Sequence, residues 1–137
     1  MVTIATGMPT VDELLDLYGA VEWTAYTGDP ELLVAAARGS HAVVTARDAG
    51  RLVGLARTVS DGATIVYVQD VLVHPEHQRF GIGSALLAEV LRRYEHVRQT
   101  VLLTDAEPGQ RAFYESLGFV EVHDVAPGPL RSFVLLR

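Results

Sequence analysis

The feature that most constrains the fold is a change of hydrophobic period near residue 75. Residues 41–75, HAVVTARDAGRLVGLARTVSDGATIVYVQDVLVHP, are rich in Val, Thr and Ile and are interrupted twice by Asp and Gly, which predicts three antiparallel strands joined by tight turns. The next segment, GIGSALLAEVLRRYEHV, has apolar residues at every third or fourth position, which predicts a long helix with one apolar face. The chain therefore passes from a small sheet into a helix that covers it.

The flanking segments indicate further helices and strands. PTVDELLDLYG, DPELLVAAARG and PGQRAFYESLGF are typical of short amphipathic helices, whereas VTIA, QTVLLTD, VEVHD and RSFVLLR are typical of strands. The long helix makes a parallel crossover from strand 65–73 to strand 99–104. Strand 65–73 is apolar except at Gln69 and Asp70, which predicts a central position with both faces covered. We expect an α/β (α+β) fold of one domain, residues 1–137, with a mixed, mostly antiparallel sheet of about six to seven strands and about four flanking helices.

Composition excludes several classes of function. The chain has 137 residues, no Cys and a formal net charge of −6, and all 11 of its Lys and Arg residues are Arg. Without Cys there is no thiolate metal site and no cysteine nucleophile. The negative charge disfavours nucleic acid and anionic membranes as partners and favours a basic ligand. Because no apolar stretch approaches about 18 residues and no signal-peptide pattern is present, we expect no membrane span and a cytoplasmic location.

A pair of glycines, Gly81 and Gly83, lies between strand 65–73 and the first turn of the long helix. The unpaired N–H groups and the dipole of a helix N-terminus favour an anion there, and Arg79 adds a positive side chain. Two known phosphate motifs do not fit. The dinucleotide fingerprint needs a third glycine where Leu86 stands, and the P-loop needs Lys, which the chain lacks. The spacing alone leaves open an anion site or a simple helix entry.

The wider sequence decides between these two interpretations. A Q/R-x-x-G-x-G/A loop is formed by Gln78, Gly81 and Gly83. An aromatic-Tyr-x-x-x-Gly-Phe ending follows downstream, in the residues Phe113, Tyr114, Gly118 and Phe119. With the order of elements from the first helix onward, these motifs resemble the GNAT superfamily of acetyl-CoA-dependent N-acetyltransferases. The resemblance implies a GNAT fold with splayed central strands and acetyl-CoA as co-substrate, and it allows a homodimer, since members are often dimers.

The resemblance also implies which residues hold acetyl-CoA. The pyrophosphate rests on loop amides beside Gln78, which are those of Arg79, Phe80, Gly81, Ile82, Gly83 and Ser84. The pantetheine arm pairs with the backbone of Val71, Leu72 and Val73, where the strand splays from its neighbour. Glu107 stands where many members carry an Asn that contacts cofactor or substrate, which is a departure from the family pattern. It otherwise provides a favourable charge at a helix N-terminus.

The implied reaction is attack of a neutral amine on the thioester carbonyl, with an oxyanion forming near the N–H of Leu72. Coenzyme A leaves as a thiolate, which a tyrosine of pKa about 10 can protonate, and family position assigns this role to Tyr114. The pattern alone leaves open that Tyr114 is a core residue beneath Phe119. Asp70 is the first candidate for the general base, unless its carboxylate is paired or bonded to loop backbone. Glu107 is the second candidate, and selection of the neutral fraction of the amine is the alternative.

The segment between the first two helices contains Glu22, Trp23 and Tyr26, and it lines the acceptor pocket in similar proteins. A carboxylate beside two aromatic rings suits a cationic amine, whereas simple packing explains the same rings. His74 and His77 form an H-x-x-H pair without a third ligand, so no metal is expected. We therefore expect acetyl transfer from acetyl-CoA to a primary amine, in particular a small cationic one. The alternatives are N-terminal or lysine acetylation of a protein or peptide, and a catalytically inactive acyl-CoA-binding sensor.

Overall fold

The computed structural model describes residues 1–137 except for the side chain of Thr24. Its strands are β1 (Val2–Thr6), β2 (Ala42–Asp48), β3 (Arg51–Ser60), β4 (Ile65–Val73) and β5 (Gln99–Leu102). Its helices are α1 (Val11–Ala20), α2 (Thr24–Thr27), α3 (Pro30–Gly39), α4 (Ile82–Arg93) and α5 (Pro108–Ser116), with short 3₁₀ turns at Pro75–His77 and Val122–Asp124. None of the helices described here combines the length and the apolar character that a membrane span requires. The chain divides into two compact units, Met1–Leu103 and Thr104–Arg137.

The first unit contains one sheet with the strand order β1-β2-β3-β4-β5. The first four strands are antiparallel neighbours, and β5 pairs parallel to β4, as the crossover through α4 predicts. The mixed α+β fold expected from the sequence is confirmed. The middle strand is β3, which is buried from Leu52 to Thr58, and strand 65–73 lies beside it as an interior strand with a partner on each side. The four-residue β5 lies outside β4, and Ile65 and Gln69 of β4 are exposed.

The sheet has five strands rather than six to seven, because two segments near the C-terminus do not pair as strands. VEVHD contains the 3₁₀ turn Val122–Asp124, and RSFVLLR has no regular structure, with Phe133 89% exposed. A strand without a partner leaves its backbone groups unpaired, so apolar alternation alone does not stabilise it. Pro127 and Pro129, which stand between the two segments, also remove two N–H donors from any hairpin that would join them.

Local sequence patterns set the ends of several elements. At the start of α1, the Thr10 hydroxyl accepts from the Glu13 N–H at 3.1 Å, and the Glu13 carboxylate accepts from the Thr10 N–H at 2.9 Å. This reciprocal pair is a capping box. Between β2 and β3, Ala49 and Gly50 both have positive φ, 49° and 86°, as a two-residue turn that matches the twist of the strands requires. The predicted helix start and hairpin are therefore present.

Helices cover both faces of the sheet in the first unit. One face packs against α1 and α3, in a cluster that includes Leu14, Leu17, Leu33 and Leu55. The other face packs against α4, which comes close at Gly54: a Cβ there would lie 3.2 Å from side-chain atoms of both Ile82 and Leu86. Gly54 and Leu55 are adjacent, so their side-chain directions lie on opposite faces of β3. The side chains of the later residues of β3 alternate in the same way between the α1 face and the α4 face.

Candidate active site

The loop between β4 and α4 presents backbone N–H groups that the helix does not use. Arg79 and Gly81 both have positive φ, 69° and 78°, which turns the chain sharply into the helix. Gly81 is the N-cap, and no side chain caps this end. The first N–H that bonds back is that of Ala85, which donates to the Gly81 carbonyl at 3.0 Å. The amides of residues 82–84 therefore have no acceptor within the helix, and with the exposed Arg79 they suit a phosphate-sized anion.

Side chains near the end of β4 hold this loop in place. The Gln78 amide donates to the Val73 carbonyl at 3.2 Å and so closes the loop on the strand that precedes it. His77 Nε2 lies 3.2 Å from the Asp48 carboxylate at the end of β2. The Nδ1 atom of His74 accepts a backbone N–H and caps the following 3₁₀ turn. Each histidine of the H-x-x-H pair therefore has a structural contact at this loop.

The strand expected to hold pantetheine lies where β4 and β5 separate. Their parallel pairing begins at Ile65 and ends at Val68. Residues 71–73 continue to pair with β3 on their other side. Among the described residues, the β5 side of β4 therefore has no strand partner from Gln69 onward. The sheet has the splay expected from the sequence, and an extended ligand that carries amides can pair along this edge.

A bulge in β4 decides the direction of Asp70. Arg57 and Thr58 are adjacent in β3, but their partners Asp70 and Val68 are separated by Gln69, so β4 has one extra residue at this point. Residues paired across two strands share a face. Asp70 therefore lies on the α1 face with Arg57, whereas Val68 lies on the α4 face with Thr58.

Asp70 belongs to a buried polar cluster of three residues. It is 3% exposed, and its Oδ2 atom accepts from Arg57 Nε at 2.6 Å and from the Tyr18 hydroxyl at 2.8 Å. Burial, followed by the negative charge of Asp70, raises the pKa of Tyr18 well above its ordinary value, so Tyr18 is a neutral donor. Pairing was one of the two reasons the sequence offered for a charge in this strand, and the pair with Arg57 is present. The role of general base stays a prediction.

Tyr18 connects this cluster to the segment predicted to line the acceptor pocket. Its ring meets those of Trp23 and Tyr26 edge to face, at centroid distances of 5.9 and 5.8 Å and interplanar angles of 69° and 86°. Trp23 is 36% exposed and Tyr26 is half-buried. Glu22 is exposed, has a φ of 63°, and donates its N–H to the Gly19 carbonyl at 3.0 Å. The two aromatic rings are thus assembled around Tyr18, and Glu22 precedes them in the chain.

The second unit carries Tyr114 and Glu107. Tyr114 is half-buried on α5, with its ring centroid 5.0 Å from that of Phe113 and 5.8 Å from that of Phe119. Burial, followed by the negative charge of Asp105, raises the pKa of Tyr114, so its hydroxyl stays protonated at neutral pH and can donate a proton. Glu107 is exposed and is the N-cap of α5, without a hydrogen bond from its side chain to the helix.

Sequence reasoning did not identify two members of the buried cluster. Tyr18 ends the apolar stripe of α1, and its hydroxyl received no role. Arg57 is the only charged residue within LVGLART of β3, which is the same pattern that singled out Asp70 in β4. Since β3 and β4 are consecutive antiparallel strands, an arginine alone in one and an aspartate alone in the next already suggest a pair.

Comparison with known sequences places this geometry in a family. The model described as "Acetyltransferase (GNAT) domain" matches residues 19–126. An uncharacterized N-acetyltransferase, ycf52, of Porphyra purpurea is 32% identical over 78 residues, which are 57% of this chain and 45% of that protein. The chain therefore spans less than half the length of this curated relative.

Solved structures agree with the sequence match. A GNAT family acetyltransferase from Streptococcus pneumoniae TIGR4 is 34% identical, with a TM-score of 0.85 over 100% of this chain and 98% of that chain. The aminoglycoside N-acetyltransferase AAC(6')-Iy, in complex with CoA, is 18% identical and shares the fold, with a TM-score of 0.74 over 100% of this chain and 95% of that chain. Since the family model covers most of the sequence, the chain belongs to the GNAT family of acetyltransferases.

Proposed function

We propose that the chain transfers an acetyl group from acetyl-CoA to a primary amine, and that the acceptor is a small cationic amine. The observation that carries the proposal is the open edge of β4, which leads directly into the uncapped N-terminus of α4. The helix end suits a pyrophosphate, and the open edge suits a linear arm with two amides. Membership of the GNAT family supports acetyl-CoA as the molecule that carries both groups.

In this proposal, backbone groups do most of the binding of acetyl-CoA. The amides of residues 79–84 hold the pyrophosphate, and the backbone of residues 71–73 pairs with pantetheine. The donor set fits the charge of the ligand, because the loop from Gln78 to Ser84 contains an arginine and no carboxylate. Gln78 acts through its hydrogen bond to the strand end, and Glu107 provides a contact at the start of α5. A protein that shares the fold is recorded in complex with CoA, which supports the same use here.

The acceptor site is assigned to Glu22, Trp23 and Tyr26. Trp23 and Glu22 are exposed at the turn between α1 and α2, where an aromatic face and a carboxylate attract a cation together. The net charge of −6 adds a weaker, long-range attraction for cations. These features favour a positively charged amine over a neutral or acidic acceptor.

The reaction forms a bond between the amine nitrogen and the acetyl carbonyl carbon and breaks the carbon–sulfur bond. The N–H of Leu72 donates to the developing oxyanion at the splayed edge. Tyr114 donates its proton to the leaving thiolate, whose own pKa is about 8.5. The nitrogen releases one proton to solvent, and solvent returns one to Tyr114. The net products are therefore an amide and a thiol.

The proton of the acceptor ammonium has several candidate routes. Asp70 is the first proposed acceptor and Glu107 the second. Asp70 is only 3% exposed and its Oδ2 atom is held by Arg57 and Tyr18, whereas a general base must come within hydrogen-bond reach of the proton it takes. We therefore favour the remaining route, in which the site selects the neutral fraction of an amine of pKa about 10.4.

The proposal is tested by following coenzyme A release across a library of amines and basic peptides. With an accepted amine, Tyr114→Phe is expected to lower kcat about 100-fold, as loss of a general acid does, and to leave the KM for acetyl-CoA within about twofold. Tyr94→Phe, which removes a buried hydroxyl from α4 in the first unit, is the matched control and is expected to keep wild-type kcat. Full activity in Tyr114→Phe would remove Tyr114 from the acid role.

The same library also tests two other functions. The acidic charge also suits a basic peptide, so acetylation of peptides in preference to every small amine would favour a protein N-terminal or lysine acetyltransferase. Tight binding of acetyl-CoA in calorimetry, with no amine or peptide that accelerates thiol release, would favour an acyl-CoA-binding sensor. The cytoplasmic location, the homodimer and the organisation as one domain stay predictions.

A further inference from the structure

We propose that Asp70 is a positioning residue, which through the Tyr18 hydroxyl holds the aromatic pair Trp23 and Tyr26 in place and so sets the affinity for the acceptor amine. The inference rests on the proposed function in one respect, since it takes Trp23 and Tyr26 to contact the acceptor. It assigns a role to Tyr18 and Arg57, for which neither the sequence motifs nor the reaction steps have a use.

The contacts form a short path from the sheet to the acceptor segment. Arg57 and Tyr18 converge on the same oxygen of Asp70, at 2.6 and 2.8 Å. The ring of Tyr18 then packs edge-on against both Trp23 and Tyr26. Because both rings contact it, a shift of the Tyr18 ring would change its packing against both Trp23 and Tyr26.

The cluster is buried although its charges are costly to bury. Tyr18 is 1%, Asp70 3% and Arg57 7% exposed. An apolar trio of similar volume would often be as stable or more stable, so the retention of two charges at this position points to a role other than stability. The bulge at Gln69 turns the Asp70 side chain towards α1, where it accepts from the Tyr18 hydroxyl.

The position of the cluster in the sheet links the acceptor segment to the cofactor strand. Asp70 directly precedes residues 71–73, whose backbone is the proposed pantetheine edge. The carboxylate therefore fixes the aromatic pair relative to the strand along which the acetyl group would lie. A fixed distance between acceptor and thioester favours a near-attack geometry for the amine.

Tyr18→Phe tests the path, because it keeps the ring and removes only the hydroxyl. Trp23 is the sole tryptophan, so its emission reports on the acceptor segment without any substrate. In Tyr18→Phe we expect a red-shifted Trp23 emission and faster quenching by acrylamide. We also expect the KM for the amine to rise about threefold to tenfold, because only part of the free energy of the lost hydrogen bond appears as lost affinity for the amine. The KM for acetyl-CoA is expected to stay within about twofold.

The matched control is Tyr94→Phe, which removes an equally buried hydroxyl at the other face of β3. It is expected to leave the Trp23 emission and the KM for the amine at wild-type values. Unchanged emission and amine KM in Tyr18→Phe, with only a lower thermal midpoint, would overturn the positioning role. Absence of acetyl transfer in the wild-type protein would instead overturn the proposed function, and the Trp23 emission would still decide whether Tyr18 holds the segment.

Asp70→Asn approaches the same contact from the strand. The amide oxygen still accepts from Tyr18 but has lost the charge. The positioning role predicts a raised KM for the amine, a shifted Trp23 emission and an unchanged acidic limb in the pH profile of kcat/KM. Loss of the acidic limb with an unchanged amine KM and unchanged emission would show Asp70 to be the general base and would overturn the proposal.

Discussion

Two tyrosines reach neighbouring residues of β3 from opposite faces of the sheet. Tyr18 comes from α1 and joins Arg57 through their shared partner Asp70. Tyr94, the C-cap of α4, places its hydroxyl 2.8 Å from the Thr58 hydroxyl and 2.6 Å from His41 Nδ1. Both rings are almost fully buried, so on each face a tyrosine of the covering helix or its C-cap reaches a polar side chain of the sheet.

The two clusters differ in charge and in access to water. The Tyr94 cluster consists of neutral hydroxyls and ends at the exposed ring of His41, so its polar groups are easily satisfied. The Tyr18 cluster contains an arginine and an aspartate with little exposure. Stability explains the first arrangement, because each neutral hydrogen bond is favourable and costs little desolvation. Stability does not explain the Tyr18 cluster, because burying its two charges is costly. This cost agrees with the proposed role of the charges at the acceptor segment beside them.

The largest expected effect comes from breaking the charged cluster. Asp70→Ala leaves the Arg57 guanidinium buried without its counter-charge, so we expect the free energy of unfolding to fall by about 3–5 kcal/mol. The double variant Arg57→Met/Asp70→Leu removes both charges and fills the same space, and it is expected to recover part of that loss, since only the Tyr18 hydroxyl is left without a partner. Urea unfolding at neutral pH measures both variants.

The same pair of variants provides the test of the comparison. Recovery of stability in the double variant, together with a loss of amine affinity, would show that the charges serve the site. A loss below about 1 kcal/mol in Asp70→Ala would mean that the pair is effectively solvated, and the distinction between the two faces would fail.

The neutral face is expected to be less sensitive. In Tyr94→Phe the Thr58 hydroxyl keeps contacts with the backbone of Ala42, so no buried group is left unpaired. We expect a loss of about 1 kcal/mol in urea unfolding, the usual net value of a neutral hydrogen bond. Tyr18→Phe, which removes a hydrogen bond to a buried carboxylate, is expected to cost more. If Tyr94→Phe lost more stability than Tyr18→Phe, charge would not explain the difference between the two faces.

Much of the structure of the proposed cofactor-binding region could be predicted from the sequence, because its determinants are local. The apolar run from Ile65 to Val73 forms β4 with those bounds, and Gly81 occupies the N-cap position of the helix that follows. Capping, hairpin and periodicity patterns each depend on residues within a few positions of one another. Such patterns also located the predicted acceptor segment between α1 and α3.

The buried cluster could not be predicted in the same way, because it depends on register. Tyr18 and Asp70 are 52 residues apart in sequence, and the bulge that turns Asp70 towards α1 is visible only in the pairing of β3 with β4. The last two predicted strands failed for a related reason. Their apolar alternation is local, whereas a strand exists only where a neighbouring strand pairs with its backbone.

A partly exposed ion pair on the same face gives the smallest effect and separates burial from charge. Arg47 of β2 donates to both carboxylate oxygens of Glu13 at the start of α1, and this bond lowers the pKa of Glu13 to about 2. A lowered pKa in the folded state stabilises the protein above the unfolded pKa of about 4.3, and this contribution is lost as the pH falls towards about 2. Because both side chains are partly solvated, we expect it to be only about 0.5–1 kcal/mol.

Glu13→Gln isolates this pair, since glutamine keeps the capping box with Thr10 and removes only the charge. The wild-type protein is expected to exceed the variant by that margin in urea unfolding at about pH 6, and the difference is expected to vanish near about pH 2.5. A difference that stayed constant with pH would mean that the variant acts through the cap. A difference as large as that of Asp70→Ala would mean that charge, rather than its burial, determines the cost on this face of the sheet.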